Sequence, residues 1–192
     1  TLDPEGGLLP GLARKWEVSP GGTSLSFFLE EGHTFPDGRP VEAADVVFTY
    51  QTLMDASYDG PHKGRFGALA AVEEVVADEA GEEANGSGAV GAGVVRFTFA
   101  VPEPEPDFSL FSFGILDRAF YRYDPGQAYR IRERLLEPVG SGDFRLDALS
   151  ENGAELVLRN GRIHPVERVR LVLSDDAHLV RDLMSGDIDM AR

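Results

Sequence analysis

A chain of 192 residues carries 33 Asp and Glu against 18 Lys and Arg, and this formal net charge of -15 argues against a nucleic-acid partner, which needs a basic surface. The absence of cysteine excludes a thiol nucleophile and disulfides, and the length suffices for a sizeable core in one large domain or two small ones. No apolar run reaches the roughly 18 residues of a membrane helix, and no charged segment leading into an apolar one marks an export signal.

The densest signal lies in residues 16–50, which read as strand, turn, strand, tight turn and helix. Ser19-Pro20-Gly21-Gly22 supplies the first turn, since Pro presets φ and Gly accepts positive φ. Leu25, Phe27 and Leu29 then alternate with Ser24, Ser26 and Phe28, the period of a strand with one face packed inward. Phe35-Pro36-Asp37-Gly38 makes a second reversal, with Phe35 expected beneath it. After Pro40, apolar residues recur at helical spacing. A helix entering near Glu42 would place its early acidic residues at the positive end of the helix dipole.

That helix is expected to run to Leu53 and to end in the turn residues of 54–61. Strands follow at 72–78 and 94–100, joined by a Gly-, Ala- and Glu-rich loop over 79–93. The loop contains a G-x-G-x-x-G string at 86–91. A dinucleotide fingerprint opens a helix, whereas here the next element is a strand, so the match is read as compositional. Pro102, Pro104 and Pro106 make a stiff connector. Residues 118–136 place five Arg among aromatic and acidic residues, with Ile131, Leu135 and Leu136 at helical spacing and the charges on a solvated face. Two alternating runs around Asn152-Gly153 predict a β-hairpin, 166–173 another strand, and Asp175-Asp176 the cap of a helix through Met184.

No catalytic constellation emerges. His33, His62, His164 and His178 are isolated, Ser141 lacks the G-x-S-x-G elbow, and Asp175-Asp176 and Asp187 with Asp189 lack the spacing of a calcium loop. The chain is therefore not expected to be an enzyme, nor to carry a cofactor or a metal.

Several separate motifs stand in a fixed order: Pro10-Gly11-Leu12-Ala13, Trp16-Glu17-Val18-Ser19, Phe28-Leu29, Phe35-Pro36-Asp37-Gly38-Arg39-Pro40, Ala44-Asp45-Val46, Pro138-Val139-Gly140-Ser141-Gly142-Asp143-Phe144 and Ser185-Gly186-Asp187-Ile188-Asp189. Together they resemble the signature of the family 5 extracellular solute-binding proteins, the oligopeptide, dipeptide and nickel-complex receptors of ABC importers. Asp143 and Phe144 stand where that family usually has Pro and Tyr, and Gly161 where it has Pro after Arg-Asn.

The resemblance implies an α/β fold with a mixed, mainly antiparallel sheet, part of a type II periplasmic-binding-protein architecture without the second ligand-binding lobe. It implies a smaller domain over 1–137 and part of the ligand-binding lobe over 138–192, with residues 107–111 forming a helix capped by Asp107. It further implies a monomer in the periplasm or at the cell surface, its export signal outside this chain, that captures a peptide or other small solute for an ABC permease. The segment after the first helix is mobile in that family and can bring an aromatic to the ligand, for which Tyr58 and Phe66 are the candidates here. A role for both in the local core stands beside that reading. A receptor-like scaffold that contacts a protein partner without transporting solute is the alternative function.

Overall fold

The computed structural model of the chain describes residues 9–75, 93–159, 165–173, 176–185 and 188–189. The Gly-rich loop expected at 79–93 lies, except for Gly93, outside the described residues, as do its G-x-G-x-x-G string, His164 and Asp175. The chain forms two compact units, 1–142 and 143–192.

Among its described residues, the first unit holds a four-stranded antiparallel sheet against which the helix Ala43–Met54 packs. Strands β1 (Ala13–Val18), β2 (Ser24–Leu29), β3 (Leu69–Val75) and β4 (Val94–Phe99) take the order β1-β2-β4-β3. The turn between β1 and β2 is tight because Gly21 and Gly22 both take positive φ and Ser19 Oγ accepts from Ser24 N at 2.9 Å. Gly22 is also a close approach: a Cβ there would stand 2.4 Å from Pro104 N. The Pro-rich connector thus lies against this turn, with Glu103 N donating to Gly22 O at 2.7 Å.

The alternation read in β2 holds for Leu25, Phe27 and Leu29, all buried, but Phe28 on the opposite face is buried as well. Lys15 of β1 lies over its ring, covering apolar surface that alternation alone would leave to water. Phe35 is fully buried under its reversal, and Arg39 N and Val41 N continue the turn network through Asp37 Oδ1 and His33 O.

Helix α1 (Ala43–Met54) buries two stripes rather than one. Ala43, Val46, Tyr50 and Leu53, at spacings of three and four, join the sheet core with Phe97 and Phe66. Asp45, Thr49 and Thr52 form a second stripe that is polar and equally buried. Tyr50 meets Phe97 edge-on at 4.7 Å and Phe66 at 5.8 Å, the arrangement that ring quadrupoles favour.

Two helical expectations change. Residues 107–111 form only a 3₁₀ turn, Phe108–Phe111, although Asp107 caps it as expected by accepting from Ser109 N at 2.9 Å. The Arg-rich stretch is not one helix: it breaks into the short α2 (Arg118–Tyr121) and a 3₁₀ segment, Ala128–Arg134, because Pro125-Gly126 interrupts it. Its Leu135 and Leu136 are exposed.

The second unit is an antiparallel meander of β5 (Phe144–Ser150), β6 (Gly153–Leu158) and β7 (Arg168–Val172), followed by α3 (Asp176–Ser185). The expected hairpin is present, but its loop is Glu151-Asn152 and Gly153 already pairs with Ser150 as the first residue of β6. Glycine is required there because a Cβ would stand 1.9 Å from Leu171 O on the neighbouring strand. None of the residues in these three strands is buried.

Candidate functional site

The two aromatics nominated from sequence both point into the first unit. Tyr58 is 4 % exposed and Phe66 3 %. Phe66 packs against Tyr50 and, at 5.3 Å, against Phe113. Burial pushes the Tyr58 phenol above its ordinary value, while the His62 amide that meets its oxygen acts in the opposite direction. Gly60 lies so close that a Cβ there would stand 2.2 Å from that hydroxyl. Both side chains belong to the core cluster of the unit.

The segment that carries them is held by polar groups at its start. Asp55 Oδ1 accepts from Ser57 N at 2.7 Å and from Ser57 Oγ at 2.6 Å, and these two bonds pull the Asp55 carboxyl below its ordinary value. Ser57 Oγ in turn accepts from Ala128 N at 2.8 Å, and Arg132 pairs with Asp59 at 2.6 Å.

The buried polar stripe of α1 explains the Phe35-to-Val46 motif more fully than composition could. Asp45, with no exposed surface, accepts from Glu42 N at 3.0 Å and caps the helix from its third position. It also accepts from the Arg39 guanidinium at 3.2 Å and from Arg118 N at 3.2 Å. Arg39 reaches on to Asp117, which caps α2 through Ala119 N and Phe120 N, and lies 4.5 Å from the centre of the Phe35 ring. One turn along α1, Thr49 Oγ1 accepts from Leu116 N at 2.9 Å. A further turn along, Thr52 Oγ1 and the Tyr123 hydroxyl are 2.6 Å apart. Helix and 116–123 segment are thus joined by a polar seam.

Beside the seam lies an open groove of about 630 Å³ whose lining includes Glu31, His33, Glu42, Glu74 and Arg118. Arg118 is already paired with Glu42 at 2.9 Å. Among the described residues no group of three or more His, Asp or Glu stands close enough to hold a metal ion. What this arrangement does chemically is fix backbone. It assembles no nucleophile with a base and an orienting group.

The sequence nominates Tyr58 and Phe66 and passes over Arg39, Thr49 and Thr52, which build the seam. One available signal was the spacing of Asp45, Thr49 and Thr52, a polar stripe at four and three residues within an otherwise apolar helix.

Residues 7–192 match the family described as bacterial extracellular solute-binding proteins, family 5 middle. The dipeptide-binding protein of Escherichia coli K12 is 30 % identical over 148 residues, 72 % of this chain and 26 % of its own length. The periplasmic oligopeptide-binding protein OppA of Salmonella typhimurium is 31 % identical over 108 residues, 55 % of this chain and 19 % of its own length. Among solved structures, the oligopeptide-binding protein AppA of Bacillus subtilis, in complex with a nonapeptide, superposes with a TM-score of 0.71 at 23 % identity, over 93 % of this chain and 34 % of that one. NikZ of Campylobacter jejuni, in complex with Ni(L-His), gives 0.74 at 18 % identity, over 98 % and 35 %. At these identities the two structures establish the fold: a mixed α/β architecture with two antiparallel sheets. The chain spans about a quarter or less of the curated relatives it matches.

Proposed function

We propose, for a chain that belongs to the family 5 bacterial extracellular solute-binding proteins, that the protein captures a peptide or similarly small solute outside the cell membrane and delivers it to the permease of an ABC importer. The observation that carries this reading is the family match from residue 7 to residue 192, which runs through both compact units. Family membership makes the protein a binding protein and not an enzyme. It acts as a monomer in the periplasm or at the cell surface. Residues 1–137 serve as its smaller domain and 138–192 as part of the lobe that holds the solute.

Peptides are favoured as the solute because the matched relatives include proteins named for oligopeptides and dipeptides. Recognition of an extended peptide rests on hydrogen bonds to its backbone and on pockets for its side chains, closed by hinge motion. Tyr58 and Phe66 are the solute-contacting aromatics of this chain. Since both are core side chains, contact requires residues 55–67 to turn them outward on binding.

Calorimetric titration of di- to pentapeptides into the protein is the test. Saturable heat is expected, and a protein that binds none of them overturns the peptide reading. For the two aromatics, the ring signals of Tyr58 and Phe66 should shift in NMR spectra of the peptide-saturated protein. Signals unmoved at saturation remove them from the site.

A further inference from the structure

The polar seam of α1 does not end at Thr52; a branch of it runs through α2 to the last residues of the first unit. Leu116 is fixed to α1 by its amide on Thr49 Oγ1, and it bridges Gly140 as an isolated antiparallel pair. Asp117, held by Arg39, caps α2. The last residue of α2, Tyr121, is 6 % exposed, and its hydroxyl accepts from Val139 N at 2.8 Å. The run Pro138-Val139-Gly140-Ser141-Gly142 leads directly to the division between the units, and its two glycines would on their own give it wide backbone freedom.

We propose that Tyr121 is a positioning residue for this run: its buried hydroxyl pins Val139, and with the Leu116–Gly140 bridge it makes the end of the first unit an extension of the Arg39–Asp45–Asp117 seam rather than a flexible glycine linker. The physical warrant is mutual satisfaction. A buried phenol oxygen and a half-buried backbone N–H each lose their partner if the other is removed, and an orphaned amide seeks water. The proposal goes beyond the transport reading and does not depend on the solute.

Amide exchange followed by NMR on the 192-residue chain tests it, with the Phe97 amide of β4 as the reference for global opening. Tyr121→Phe should speed exchange at Val139 about tenfold or more relative to Phe97. Tyr123→Phe makes the same chemical change elsewhere on the seam, where it removes the partner of Thr52. It should leave Val139 within about twofold of the unaltered chain. A Val139 amide that is unprotected in the unaltered chain, unchanged by Tyr121→Phe, or accelerated equally by Tyr123→Phe overturns the proposal.

Discussion

Asp55 shows how much a single carboxylate can organise. It anchors the turn that carries Tyr58, just past the end of α1, and through Ser57 reaches Ala128 on a distant segment. Its folded value lies below the ordinary 3.8 because the Ser57 hydroxyl and then the Ser57 amide stabilise the charged form. The stability it contributes is therefore fully present above that ordinary value and is lost as pH falls through the depressed one. Ser57→Ala removes the larger cause. Titration of the Asp55 carboxyl by ¹³C NMR should show it rising towards 3.8, and the acid loss of stability that this group causes should become smaller, still beginning near the ordinary value but ending at higher pH. An unmoved carboxyl would show that the hydroxyl is not the cause. Tyr50 makes a contrasting point: burial drives its phenol far above the ordinary range, and its proton is committed to Leu110 O at 3.0 Å. Asp55 finds its partner two residues on, whereas nothing in the residues next to Ser57 or Tyr50 announces theirs, since Ala128 and Leu110 are 60 or more positions away along the chain.

At the scale of elements, α1 is the centre of the first unit because it is two-sided. Its apolar stripe faces the sheet, while Asp45, Thr49 and Thr52 satisfy backbone and side-chain groups of 116–123. Removing Asp45 would leave the Arg39 guanidinium with half of its charge partners and orphan two backbone amides, those of Glu42 and Arg118. Because Arg39 retains some exposure, the cost is below that of a fully enclosed pair, about 2–4 kcal/mol. Urea unfolding of Asp45→Ala should show a lowered midpoint with an unchanged slope. A midpoint within error of the unaltered chain would reduce the seam to decoration. The motif containing Asp45 was legible as a motif, yet its reason was not, because Arg39, Asp45 and Asp117 meet only after the chain has crossed the sheet and returned.

For the whole molecule, the excess of 33 acidic over 18 basic side chains makes like-charge repulsion the dominant long-range electrostatic effect. Salt shortens the Debye length from about 30 Å to about 8 Å between 10 and 150 mM. It weakens attractive surface pairs such as Arg132–Asp59 and Arg168–Glu155, but with acids in excess the repulsive pairs outnumber them. The melting temperature should therefore rise by a few degrees over that range in calorimetry. A fall would mean that the surface pairs outweigh the net charge.

The chain's own order of residues determined its family, the strand–turn–strand–helix course of 16–54 and the hairpin near Gly153. Those features depend on side-chain period and turn chemistry within a few residues of one another. Tertiary structure alone decided that Phe28 is covered, that the Arg-rich stretch is broken, that Tyr58 and Phe66 are core side chains, and that Tyr121 holds Val139. Each of these depends on which distant group lies across a gap of a few ångströms, a relation set by packing and by the satisfaction of buried polar groups, and invisible to periodicity.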